Sequence, residues 1–69
     1  MPNVKVILYR EREIKEIKVE KGTKIVEILT KIGLNPVEVV VALDNVIVPE
    51  EERIYSDSIL EVLPVVSGG

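Results

Sequence analysis

One change of period constrains this chain more than anything else in it. From Val4 to Tyr9 the apolar residues alternate, with Val4, Val6 and Leu8 on one side, the pattern of a half-buried strand. After Gly22-Thr23 the spacing becomes helical: Ile25, Ile28, Leu29 and Ile32 fall at i, i+3, i+4 and i+7 and form one apolar stripe. Thr23 is the expected N-cap and Gly33 the expected C′ residue, so the spacing predicts a helix from Lys24 to Ile32. A helix that short is marginal alone in water and must lay its stripe on a sheet.

The remaining segments supply that sheet. Arg10-Glu11-Arg12-Glu13 reads as a charged hairpin loop leading to a strand over 14–19, with Ile17 and Val19 facing one way. Beyond Asn35-Pro36, the nearly continuous apolar run Val39-Val40-Val41-Ala42-Leu43 reads as a central strand. Asp44-Asn45 is a tight-turn pair, Val46-Ile47-Val48 a short strand ended by Pro49, and Glu50-Glu51-Glu52-Arg53 a solvated loop. A second turn at Tyr55-Ser56-Asp57-Ser58 precedes a last strand from Ile59 to about Val65. One helix packed across one face of a mixed sheet of four to five strands is an α+β, two-layer arrangement. The strand-helix-strand crossover is expected to be right-handed and to set the strand after the helix parallel to its sheet partner. The element order is that of the β-grasp, or ubiquitin-like, fold; residues 1–66 are read as the β-grasp domain and 67–69 as a flexible C-terminal Gly-Gly tail.

Composition narrows function by exclusion. With 69 residues the chain forms one small domain without room for an elaborate active-site cavity. It contains neither cysteine nor histidine, which removes disulfides, thiolate nucleophiles, the usual neutral-pH general base and the usual zinc ligands. No catalytic or metal-ligating residue is therefore expected. A net charge of −3 with both signs interspersed argues against a nucleic-acid surface. No apolar run approaches the ~18 residues of a membrane span, so the expectation is a cytoplasmic protein without membrane association. The Glu- and Lys-rich, Gln-free composition matches that of hyperthermophile proteins. The tail, Gly68-Gly69, puts a carboxyl group on a slim tether able to thread into another protein's active site, although two glycines can also be a frayed end.

Three stretches resemble the ubiquitin-like β-grasp sulfur-carrier family (ThiS/MoaD type), which includes the carrier of the thiamine pathway and the small subunit of molybdopterin synthase. They are Val41-Ala42-Leu43-Asp44-Asn45-Val46-Ile47-Val48-Pro49, Leu60-Glu61-Val62-Leu63-Pro64-Val65-Val66, and the ending Ser67-Gly68-Gly69. One departure is Ser56-Asp57-Ser58, where family members usually carry an Asp-Gly-Asp-type turn; Asp tolerates positive φ, which lets the turn survive. The resemblance implies that a ubiquitin-activating-type adenylating enzyme uses ATP to adenylate the carboxylate of Gly69. Sulfide or a persulfide then displaces AMP and leaves a thiocarboxylate for a sulfur-acceptor synthase. Gly69 would carry the reacting group and Gly68 the bend, because a Cβ at either position would crowd the approach of the nucleotide. The chain would bind no cofactor itself and would be a carried substrate, not an enzyme, since a free carboxylate needs external activation to become an acyl donor.

A partner must also recognise the folded body. Strand parity offers Ile7, Val40, Leu63 and Val65 as docking residues on the sheet face away from the helix, with core contacts as the competing reading, because a one-residue slip reverses every side. Glu50-Glu51-Glu52 and Arg10-Glu11-Arg12-Glu13 read as solvated loops, and Tyr9 and Tyr55 as half-buried packing residues whose hydroxyls find water or backbone partners. Three destinations are open for the sulfur: the thiamine thiazole, slightly preferred on chain length, the molybdopterin dithiolene, and transfer-RNA thiolation. The alternative is a ubiquitin-like modifier joined to lysines through Gly69. A plain interaction module would leave the glycines incidental, and an RNA-binding β-grasp domain would need a basic stripe that is missing.

Overall fold

The computed structural model describes residues 1–65. In chain order the elements are β1 (Asn3–Leu8), β2 (Glu13–Lys18), β3 (Thr23–Lys24), α1 (Ile25–Lys31), a 3-10 turn (Pro36–Glu38), β4 (Val39–Leu43), β5 (Val46–Val48), β6 (Arg53–Ile54) and β7 (Ser58–Pro64). Five strands form one mixed sheet in the order β2-β1-β7-β4-β5, and β3 pairs with β6 in a separate two-stranded ribbon. This is the β-grasp arrangement that the element order implies, with one helix on one face.

The direction of β4 corrects one expectation. It pairs antiparallel with both its neighbours, β5 and β7, and the parallel pair in this sheet is β1 with β7. The crossover through α1 does return β4 in the direction of β2, but β1 and β7 lie between them. The first and last strands of the chain therefore meet at the centre of the sheet, each supplying hydrogen bonds on both of its edges.

The helix starts and stops where local chemistry dictates. Its N-cap is Lys24, not Thr23. Thr23 is held extended by pairing with Ile54, and its hydroxyl donates backwards to the Glu20 carbonyl at 2.7 Å. An ammonium side chain has no acceptor, so the cap is made by others: the Glu27 carboxylate accepts the Lys24 N–H at 2.9 Å. The carbonyls of Glu52 and Glu50 accept the N–H groups of Ile25 and Val26, both at 2.9 Å. At the other end Gly33 takes φ +85°, its N–H reaching the Thr30 carbonyl while the Leu34 N–H reaches that of Leu29, a Schellman closure.

The segment read as a solvated loop, Glu50 to Arg53, is thus partly structural. Its carbonyls cap the helix, Arg53 belongs to β6 and donates to the Gly22 carbonyl at 2.8 Å, and the next residue, Ile54, is fully buried. The Asp44-Asn45 turn behaves as expected, with φ of +49° and +70° closing a two-residue hairpin between Leu43 and Val46. The later turn does not use positive φ. Instead the Asp57 carboxylate accepts the Asn3 N–H at 2.8 Å and the Ser58 hydroxyl donates to the Ser56 carbonyl at 2.7 Å, so side chains replace the backbone freedom of a glycine.

The core lies between α1 and the inner sheet face. Val4, Val6 and Leu8 of β1, Leu60 and Val62 of β7 and Val41 of β4 meet Ile25, Ile28 and Leu29, with Val19 and Ile54 closing the sides. Ile17 and Ile32 pack at the margin, as their parity and stripe positions imply. Among the described residues no helix is long and apolar enough to cross a membrane.

Candidate functional site

The last strand of the chain is the middle one of the five-stranded sheet. β7 is paired with β1 on one side and β4 on the other, and its last ladder partners are Val39 with Pro64. One further bond, from the Val65 N–H to the Glu38 carbonyl at 3.1 Å, carries the order past the strand. The expected reacting residues, Gly68 and Gly69, lie outside the described residues, as do Val66 and Ser67. What the structure fixes is the base from which they start.

Strand registry brings all four docking candidates to the face away from α1. Val40 lies directly across from Leu63, Ile7 directly across from Glu61, and Val65 continues the parity of Leu63 beyond the strand. None of the four belongs to the buried core: Ile7 and Leu63 are half-buried, while Val40 is 38% and Val65 49% exposed. Ile14 of β2 and Ile47 of β5, exposed by 62% and 63%, extend the apolar surface to both edges, and the small Ala42 is buried beneath its neighbours. An apolar surface of this kind is thus contiguous with the point where β7 ends.

One polar pair interrupts it. Tyr9, two residues beyond Ile7 on the same face, donates its hydroxyl to a carboxylate oxygen of Glu61 at 2.5 Å. The pair was not expected from sequence, where Tyr9 is read as half-buried with a water or backbone partner; it is instead exposed and bonded to a side chain, and Tyr55 is exposed as well. Donating that hydrogen bond stabilises the protonated phenol, so the Tyr9 pKa is raised above its ordinary value, with desolvation and the charge of Glu61 acting in the same sense. Tyr9 therefore remains a donor throughout the neutral range. Parity alone places Tyr9 with Ile7 and Glu61 with Leu63; the missing information was that β1 and β7 are neighbours.

A small cleft sits at the same end of the domain, between Arg10, Leu34, Asn35, Val39, Val62 and Pro64. Its volume of about 50 Å³ is of the order of one or two water molecules. A nucleotide does not fit there. Among the described residues no group of three or more acidic side chains is placed to hold a metal ion.

Comparison with known proteins follows this geometry. The family model described as the ThiS family matches residues 6–69. The sulfur carrier protein TtuB of Thermus thermophilus is 33% identical over 63 residues, covering 91% of this chain and 97% of that protein. A solved structure from Pyrococcus furiosus, assigned as molybdopterin converting factor subunit 1, superposes with a TM-score of 0.74 at 18% identity over 96% of this chain and 100% of that one. At that identity the likeness speaks for the fold alone.

Proposed function

The chain belongs to the ThiS family, and from that premise we propose that it is a sulfur carrier whose Gly69 carboxylate is the carrying group. The observation that bears most weight is that the family match runs through residue 69 and so includes Gly68-Gly69. The fold supports the reading physically: a body without histidine or cysteine ends its central, doubly paired strand beside an apolar face.

In the proposed cycle a carboxylate oxygen of Gly69 attacks the α-phosphorus of ATP on a partner enzyme. A new P–O bond forms, the bond to the β-phosphate breaks, and pyrophosphate leaves. Hydrosulfide then adds to the acyl carbon and AMP departs with the former carboxylate oxygen, leaving a thiocarboxylate. When the sulfur arrives as an enzyme persulfide, a second thiol must reduce the resulting acyl disulfide. The partner supplies the nucleotide site and its metal, because the cleft beside the end of β7 is too small for a nucleotide and no group of acidic side chains among the described residues is placed to hold a metal ion; on this reading the chain is a cytoplasmic protein substrate and not a catalyst. A sulfur-acceptor synthase then takes the sulfur, and the thiamine thiazole, the molybdopterin dithiolene or a transfer-RNA base is the destination.

ATP–pyrophosphate exchange by the activating enzyme of the same organism tests this. The full chain should stimulate exchange and a chain lacking Gly68-Gly69 should not. Exchange that is indifferent to the removal of the two glycines would defeat the proposal, and a ladder of heavier bands on a denaturing gel would assign the activated carboxyl to lysine conjugation instead.

A further inference from the structure

On the outer sheet face Glu61 has apolar neighbours, standing between Ile7 and Ala42 in the adjacent strands and between Ile59 and Leu63 along its own, while Lys5 and Glu16 face outward one pair further along β1 and β2. One carboxylate oxygen takes the Tyr9 hydroxyl, which fixes the side chain; the other has no hydrogen-bond donor among the described residues. No ion pair forms there either. Lys5 shares the face but is diagonal to Glu61 in register, and among the described residues the salt bridge found is Lys15 with Glu13.

Such a carboxylate is harmless while water reaches it. Covering the face with an apolar partner would strip that water and leave a charge with a single hydrogen bond, a strongly unfavourable state. A partner able to cover this face must therefore bring a cationic donor to the open oxygen. A guanidinium suits it best, because its planar donors match a carboxylate edge and its flat face can stack on an aromatic ring. The exposed ring of Tyr9, tied to Glu61 by its own hydroxyl, lies where that stacking would occur.

We propose that Glu61 and Tyr9 together form a receptor for one arginine of the activating enzyme, set among apolar neighbours, and that this pair selects the partner. The proposal rests on the sulfur-carrier reading, which supplies the partner. Glu61 binds the guanidinium; Tyr9 positions Glu61 and offers the stacking face. An enzyme presenting only apolar or acidic groups at this point is rejected by the uncompensated charge.

The test is the concentration dependence of pyrophosphate exchange for the wild-type chain and for Glu61→Gln, Tyr9→Phe and Tyr9→Leu. Loss of a charge-assisted contact predicts a rise in KM of about ten- to a hundredfold for Glu61→Gln, with kcat little changed and a weaker dependence on salt. Tyr9→Phe keeps the ring and should raise KM by a few fold; Tyr9→Leu removes ring and hydroxyl and should raise it further. Thermal melts confirm that each variant is folded. An unchanged or lower KM for Glu61→Gln overturns the proposal while leaving the sulfur-carrier reading intact. Equal effects of the two Tyr9 variants overturn the stacked guanidinium. No exchange with the wild-type chain overturns both readings at once.

Discussion

Replacing Ile54 by alanine should be among the most damaging single changes in the domain. Ile54 is 0% exposed and belongs to the same cluster as Ile25, Ile28 and Leu29, although its strand is two residues long. The substitution removes three carbons, about 2.4 kcal/mol of transfer free energy at ~0.8 kcal/mol each. A residual cavity adds to this, for a total of about 3 kcal/mol within the usual range of about 2–5 kcal/mol. A domain of this size has a total stability of roughly 3.5–10 kcal/mol at about 0.05–0.15 kcal/mol per residue, so about 30% of it or more is lost. The corresponding fall in Tm is about 12–24 °C. Urea denaturation followed by circular dichroism gives the free energy, with Ile59→Ala, at a site 45% exposed on the outer face, as control. Ile54 also anchors the segment whose carbonyls cap α1, so amide exchange at Ile25 and Val26 should accelerate in the variant. A loss no larger than that of the control would refute the assignment of Ile54 to the core.

Two further perturbations probe local chemistry. Tyr9 should titrate above the ordinary tyrosine pKa of about 10 in an alkaline absorbance titration, and the shift should diminish in Glu61→Gln. Because the folded value is the raised one, the stabilisation from Tyr9 is fully present below the unfolded pKa and is lost as pH rises through the folded pKa; in Tyr9→Phe that alkaline loss should vanish. At Asn45, whose φ is +70°, a change to valine should cost about 1–2 kcal/mol in chemical denaturation, since a β-branched residue is strained there; a neutral result would contradict the two-residue turn.

Much of this architecture is legible in the sequence because periodic segments announce themselves. The Val4-Val6-Leu8 alternation and the Ile25-Ile28-Leu29-Ile32 stripe both face the core, and Gly33 ends the helix in the left-handed conformation its position implies. Ile54 was illegible for the opposite reason: two strand residues between an acidic run and a polar turn show no period. Thr23 looks like an N-cap until its pairing with Ile54 is known, a contact 31 residues away. The parallel meeting of β1 and β7, and with it the Tyr9–Glu61 bond, likewise depends on which strands are neighbours, and strand parity is silent on that. Alternation within each strand places Ile7, Val40, Leu63 and Val65 on the outer face, because their strand neighbours Val6 and Leu8, Val41, and Val62 face the core. Gly68 and Gly69 carry the functional reading from sequence and lie outside the described residues.

The central claim is that this domain carries sulfur on the carboxyl group of Gly69. Its most direct test is the intact mass of the chain after incubation with ATP, a sulfide donor and the activating enzyme of the same organism, followed by fragmentation to locate any change. The account predicts exchange of one oxygen for one sulfur, confined to the fragment that contains Gly69. An unaltered mass with an enzyme proven active on another carrier, or sulfur placed anywhere else in the chain, would contradict it.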